Sequence, residues 1–298
     1  MSKRYHVFIL VLIVNFAFCQ QNIKKKSRRY TDIENWKKTH ERPLTKQDSA
    51  HFIIKNNDTL VLLEPVVRPK GRVVKYEYKD STFLSYYTKI AFRLDQDSLD
   101  KKEIMRYWKK PLKVFFGKSV SNKERKEFKK FATSTINHID SLHITFVSRL
   151  EDSNYIIYYS DDYNYESKMN IRKKSDFYMS WRGGRIKSFA MRIDNDYYFS
   201  DKLRLMEMKR YFIESLGYFR NLSEFSCDSY FSNCNSKEKH LTALDIELLK
   251  YHYSYGICKG TSYETFMEQH KMAKDILKKN PEYYMNFFHV FDTSDVQN

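Results

Sequence analysis

The sequence predicts an α+β fold: a mixed, twisted sheet with a long backing helix, a second long helix and a C-terminal helix, preceded by a small β-rich extension. Three observations carry that expectation. Runs rich in β-branched and aromatic residues, such as "KPLKVFFG" (110–117) and "NYIIYYSD" (154–161), have the character of strands. The segments 121–142 and 200–217 instead place apolar residues at helical spacing behind good N-caps. Gly (7) and Pro (5) are scarce beside 24 Tyr and 22 Phe, which argues against a disordered chain and against a Gly-rich nucleotide loop. With 298 residues and 42% hydrophobic content, the chain can build one large domain or two small ones, each with a real core.

Residues 1–19 have the layout of an export signal. Lys3, Arg4 and His6 make a basic start, and an apolar run from Val7 to Phe18 is broken only by Asn15. The run is well short of the ~20 residues that span a bilayer. Cleavage near Cys19–Gln20 is preferred, although Phe18 is a poor residue before a cut. A lipidated Cys19 and a retained anchor helix stay open, the former against a flanking "FAF" that lacks small residues. Residues 20–49 are polar and basic and predict a solvated leader, with a short helix near Thr31–Thr39. In 50–105, "HFIIKNNDTLVLLEPVV" is two apolar runs around an Asn-Asn-Asp turn, a hairpin signal, while "GRVVKYEY" and "FLSYYTKIAFRL" run like strands.

From 106 to 270 the texture changes. "KPLKVFFG" is a strand ending at Gly117. Ser121 and Glu124 make a capping box for the first long helix, whose Phe128, Phe131, Ile136 and Ile139 face a core. "HITFVSRL", "NYIIYYSD" and "GGRIKSFAMRID" follow as strands. Ser200 caps the next helix with Asp201 on its positive end, Leu203, Met206, Ile213 and Leu216 form its apolar side, and Gly217 stands at C′. "LTALDIELLKYHYSYGI" is a further helix capped by Thr242 with Asp245 at N3. Residues 271–298 complete a helical stretch and end in a loose tail.

Export governs how charge and cysteines are read. The net charge of +16, of which Lys3 and Arg4 carry two, would suggest nucleic acid in a cytoplasmic protein. Outside the inner membrane, anionic lipids, acidic glycans or other envelope components are the expected partners, not nucleic acid. The charge is spread along the chain rather than striped, as a general Lys-rich composition would leave it. With Cys19 cleaved or lipidated, Cys227, Cys234 and Cys258 predict one bridge and one free thiol. Cys227–Cys234, enclosing "CDSYFSNC", is the preferred pair, and Cys234–Cys258 the alternative. No C-x-x-C occurs, so no redox or all-cysteine zinc site is expected.

Two segments carry a resemblance. "RYFIESLGYFR" (210–220) lies over the pattern H-E-x-x-H-x-x-G-x-x-H with Leu216-Gly217 in register, and "LTALDIELLKYHYSYGI" is similar to the helix that closes matrixin domains. "DSYFSN" (228–233) stands where that family makes its Met-turn, with Phe231 near the Met place. In element order and in these motifs, residues 106–258 resemble the metzincin and matrixin branch of the zincin metalloproteases, and divergent zincin-like domains of bacterial exported proteins. The metal motif itself is missing. A catalytic zinc needs three neutral or anionic ligands and an open position for water. Arg210 and Arg220 take the first and third ligand places, and a guanidinium cannot bind a cation. Tyr211 takes the general-base place, and Glu214 alone could ligate. No metal or other cofactor is expected; an Arg210–Glu214–Arg220 ion cluster is expected where zinc would sit, with Glu207 on the same helix face.

Other candidates are weaker. Trp181, Arg182 and Arg185 in "SWRGGR" could hold a glycan or anion, although a plain turn accounts for them. His240, His252 and Cys258 match no zinc spacing. The pairs Asp161/Asp162 and Asp194/Asp196 fit turn chemistry better than a Ca²⁺ site or a glycosidase pair. The expected function is a non-catalytic, peptidase-like protein of the cell envelope that binds a peptide, glycan or partner. The alternatives are a hydrolase using Glu214 with Tyr211 or His240, and a purely structural envelope protein.

Overall fold

The computed structural model describes residues 20–21, 30–40, 42–55, 58–63, 71–94, 103–236 and 238–290. The export-signal and Cys19 readings lie outside the described residues. Among those described, no helix is long and apolar enough to cross a membrane. The chain forms two compact units, one of Lys75–Met285 and a smaller one of Gln20–Val74 with the C-terminal strand.

In the smaller unit, strand β1 is Gln20–Gln21 and β2 is Tyr30–Asp32, followed by α1 (Ile33–Thr39) and the single turn α2 (Lys46–Ser49). β3 (Ile53–Lys55) and β4 (Asp58–Leu62) pair antiparallel with Lys55 opposite Asp58, which is the hairpin expected at Asn-Asn-Asp. β5 is Gly71–Lys75. The basic leader is thus built into a folded unit: Asp32 caps α1, and Trp36 is buried, stacked on His40 at 4.4 Å and covered by Arg42 at 5.0 Å.

The larger unit opens with a correction. "FLSYYTKIAFRL" is not a strand but α3 (Ser81–Ala91), capped by Asp80, which accepts from the Thr82 and Phe83 amides. Its buried residues Phe83, Leu84, Tyr87, Thr88, Ile90 and Ala91 recur with helical period, so burial on one face overrides β-branched and aromatic propensity. There follow β6 (Tyr107–Trp108), β7 (Leu112–Phe116), α4 (Asn122–Ile136), β8 (Ile144–Phe146), β9 (Tyr155–Tyr159), β10 (Ser175–Arg182), β11 (Arg185–Ile193), α5 (Asp201–Ser215), α6 (Ala243–Tyr253) and α7 (Tyr263–Lys279). A last strand, β12 (Asn286–Val290), lies where a loose tail was expected and joins β1 and β5 of the smaller unit.

The main sheet runs β10-β11-β9-β7-β8. The pairs β11/β9, β9/β7 and β7/β8 are parallel, β10 is antiparallel at the edge, and β6 extends the register of β11. β10 was not foreseen. Gly183 and Gly184, both with positive φ, close a two-residue hairpin between Arg182 and Arg185, so "SWR" is a strand end rather than a loop.

The capping box Ser121–Glu124 is present, and α4 buries Phe128 and Ile136, with Ile139 just beyond it. α5 packs beside α4 on one sheet face through Phe212, whose ring lies 5.4 Å from Phe128 and 6.2 Å from Tyr155. Its core residues are Met208, Phe212, Ile213 and Leu216; Leu203 and Met206 are only half-buried. The opposite sheet face carries a smaller cluster of Tyr158, Met169 and Ala190.

Gly217 serves space, not handedness. A Cβ there would lie 2.3 Å from Phe219 ring atoms and 2.9 Å from His252 Nε2. The left-handed residue ending α5 is instead Tyr218 (φ 55), and the Phe219 amide donates to Glu214 O at 2.9 Å, as in a Schellman end. Gly217→Ala is expected to lower stability by about 1–3 kcal/mol through overpacking, measured by urea denaturation; an unchanged midpoint would mean that Phe219 and His252 have room to move.

Candidate functional site

Glu207, Arg210 and Tyr211 lie on the face of α5 that meets edge strand β10. Arg210 grips Glu207 with two nitrogens, Nε to Oε2 at 2.9 Å and Nη2 to Oε1 at 2.5 Å, and reaches Glu214 Oε2 through Nη1 at 3.5 Å. Ser175 of β10 donates to Glu207 Oε1 at 2.5 Å and lies 2.9 Å from the Tyr211 hydroxyl. Arg210 also stacks over the Tyr211 ring at 4.2 Å. Two places expected to replace zinc ligands, Arg210 and Glu214, are therefore brought together, with Glu207 the stronger partner.

The electrostatics follow from burial. Burial alone would raise Glu207, but the hydrogen bonds and charge of Arg210 outweigh it and hold the carboxyl below the ordinary range. For Glu214 burial prevails over Arg210 and Arg93, and its pKa is raised. Burial opposes the Arg210 charge, yet Glu207 overcomes it, so the guanidinium is more firmly charged than usual. Burial pushes the Tyr211 phenol up to about 12, far from a general base near neutral pH.

Arg220 does not join this cluster. After the left-handed turn at Tyr218, the Arg220 amide donates to Ile90 O at 3.0 Å and its Nη1 to Leu94 O at 3.3 Å, which ties residue 220 to the end of α3. The second cation at Glu214 is Arg93, at 3.7 Å. No local spacing could reveal Arg93, which arrives from α3, 121 positions away in sequence from Glu214. Arg93 and Tyr218 are the two non-glycine residues with positive φ among the described residues, and they hold one another. Arg93 stacks on the Tyr218 ring at 4.1 Å and donates to the Tyr218 and Phe219 carbonyls. Arg106 continues the stack, 4.7 Å from Tyr218 and 4.4 Å from Trp181. Trp181 is thus committed to an internal ladder on one side and 43% exposed, while Arg182 and Arg185 flank the hairpin tip.

Beside α5, the Cys227–Cys234 bridge forms as preferred. Asp245, seen in sequence only as a capping residue, also clamps this loop: it accepts from Ser229 Oγ at 2.6 Å and the Tyr230 amide at 3.0 Å. Phe231, near the Met-turn place, is buried 5.3 Å from the Phe219 ring. The free thiol expected at Cys258 is corrected, since Cys258 is disulfide-bonded as well.

His252 is wholly buried and has two partners. The Arg106 carbonyl can only accept, at 2.9 Å, so Nε2 carries the proton and Nδ1 accepts from the Tyr87 hydroxyl at 3.1 Å. His240 is exposed, 3.6 Å from Asp228. Asp161, Asp162 and Asp194 accept from nearby Asn195, Ser119, Tyr159, Asp196 and Tyr197 nitrogens, which is turn chemistry as expected. Among the described residues no group of three or more His, Cys, Asp or Glu side chains is gathered that could hold a metal ion. The α5 site is a closed network of ion pairs and stacked cations, with its carboxylates separated by a guanidinium.

Two outcomes follow. Arg210→Met leaves Glu207 buried without its cation and is expected to cost about 3 kcal/mol near neutral pH; Glu207→Gln in the same background restores most of it. The pH dependence checks the sign. In the wild type, Glu207 supplies stability above its ordinary value of 4.5 that is lost as pH falls through the depressed value. In Arg210→Met burial is opposed only by the hydrogen bonds of Ser175 and Tyr198, so the variant should gain stability on acidification to about pH 5, read by urea denaturation. His252 acts separately. Burial pulls its pKa to about 3 from an ordinary 6.5, so its contribution is complete above pH 6.5 and falls by about 1.4 kcal/mol per pH unit below it. His252→Gln should flatten that slope. No protein-family model matches the chain and no curated protein matches it significantly, so the site stands on its own geometry.

Proposed function

We propose that this chain is an exported, non-catalytic binding protein built on a zincin-like scaffold, in which a fixed ion network occupies the place of the catalytic metal. The observation that carries the reading is the Arg210 guanidinium held on Glu207 and Glu214. Under the resemblance, Arg210 and Glu214 stand at the first two ligand places, and a permanently charged cation there excludes a second one. The element order supports the scaffold: a strand, the long helix α4, three parallel-sheet strands with an antiparallel edge strand, and then α5. The Asp245 clamp and buried Phe231 support the likeness of the loop and closing helix. The ligand would be a peptide, a glycan or another anionic envelope component, in keeping with the net charge of +16.

One observation favours a second reading, a hydrolase. Glu214 is buried with a raised pKa, as a general acid would be. Its expected helpers are engaged elsewhere, however: Tyr211 meets Ser175, and His240 lies by Asp228.

The test is elemental mass spectrometry of the purified mature chain together with a peptide-hydrolysis assay. The expected outcome is no stoichiometric zinc and no turnover. About one zinc per chain would overturn the metal-free reading, and turnover abolished by Glu214→Gln would establish the hydrolase.

A further inference from the structure

Helix α7 is held to the larger unit by different means along its length. At the N-terminal end the Tyr263 amide donates to Glu103 O at 3.0 Å, and the Met105 amide donates to Thr261 O at 2.9 Å. Phe266, one turn in, is buried, with its ring 5.5 Å from Tyr87, 5.4 Å from Phe92 and 6.5 Å from Tyr251. Beyond Phe266 the ties thin out. Among the described residues, one hydrogen bond joins positions 267–279 to another element: His270 Nδ1 lies 3.2 Å from the Tyr76 hydroxyl. Tyr78 stacks on the same ring at 4.8 Å. Between these tyrosines, the Glu77 amide donates to Gly256 O at 2.9 Å, which fixes their segment to the end of α6. Beside His270, Gln269 is 3% exposed and its Oε1 is buried without a hydrogen-bond partner among the described residues. Such a group regains water when the helix lifts, which lowers the cost of opening.

This contact is built on a neutral ring. Burial, and after it the charge of Lys274, lowers the His270 pKa below its ordinary 6.5. The titratable neighbours give an added proton little support. The segment before α3 presents the Tyr76 and Tyr78 phenols, with the Tyr251 phenol of α6 behind Tyr76, and α7 itself presents Lys274. Glu77 is paired with Lys79 at 3.4 Å, and Lys79 also holds Glu247 of α6 at 2.8 Å. On the α3 side, Lys89 is paired with Glu224 at 2.6 Å. Past α5, Arg220 donates to Leu94 O.

We propose that the Tyr76–His270 contact is an acid-released latch: proton uptake by His270 frees residues 267–279 of α7, while the N-terminal end of the helix and the main sheet stay in place. The direction follows from linkage. Once α7 has opened, the imidazole titrates at its ordinary 6.5, and in the closed state it titrates lower. The closed state therefore loses stability as pH falls below 6.5, and the loss levels off below the lowered value. The inference concerns a movement rather than a ligand. It uses no residue of α5 and does not depend on the binding role proposed above.

The experiment is hydrogen exchange of the full mature chain at pH 7 and pH 5, followed by mass spectrometry and expressed as protection factors. Peptides covering residues 267–279 are expected to lose protection about tenfold at pH 5, while those covering β9 and β11 hold theirs. His270→Gln keeps a neutral hydrogen-bonding end and should abolish the acid loss; His252→Gln should leave it in place. Lys274 is exposed, so Lys274→Glu should fold as the wild type does and keeps the imidazole. Its carboxylate beside the ring favours the charged form and should reduce the loss to about threefold or less. Protection of 267–279 that is the same at both pH values, loss from β9 in step with α7, or a full acid loss in His270→Gln or Lys274→Glu would each overturn the proposal.

Discussion

The larger unit depends on one buried imidazole. His252 accepts from Tyr87 of α3 and donates to the Arg106 carbonyl just before β6, and its ring lies 4.7 Å from Phe219, the residue that turns the chain out of α5. Three elements distant in sequence are thereby fixed by a single side chain of α6. The arrangement works because the ring is neutral: a charged imidazole in that place would meet only an acceptor on one side and a hydroxyl on the other, without a counter-ion to offset desolvation. It also works because Gly217 leaves the volume that Phe219 and His252 fill. The glycine that makes the helix end look like a protease motif has here a packing reason of its own.

Beside that node, α5 is held by ion pairs. Ion pairs as buried as Arg210–Glu207 add little net stability over apolar residues of the same shape, but they are costly to break and admit few alternative geometries. That asymmetry suits a scaffold whose helix α5 must hold one rotation against β10. The strained pair Arg93–Tyr218 has the same logic. Each residue occupies a backbone conformation that costs of order 1 kcal/mol or more, and each is held there by the other, through a stacked ring and two carbonyl hydrogen bonds.

How much of this was legible in the sequence depended on the range of the interaction. Local signals read well. The capping boxes at Ser121–Glu124 and Thr242–Asp245, the Asn-Asn-Asp hairpin and the Cys227–Cys234 bridge rest on contacts a few residues apart. Glu207 was visible for the same reason, three residues before Arg210. The misses are non-local. α3 is rich in strand-forming residues and becomes a helix because its buried face meets Tyr251 and Phe266, which lie more than 150 positions later. β10 was missed although Phe177 and Met179 alternate with Asp176, Tyr178 and Ser180; what holds it is distant in sequence, Ser175 and Phe177 meeting Tyr211 of α5 and Phe177 also meeting Tyr218 just beyond that helix. The expected Arg220 failed because the chain turns left-handed at Tyr218, one position after Gly217, and carries residue 220 to the end of α3.

In the α5 network the principal charges are matched: Glu207 by Arg210, Glu214 by Arg210 and Arg93, with Ser175 donating to the Glu207 Oε1 that Arg210 also holds. A closed set of partners of this kind resists both metal and ligand, because any newcomer must displace an interaction that already pairs a buried charge.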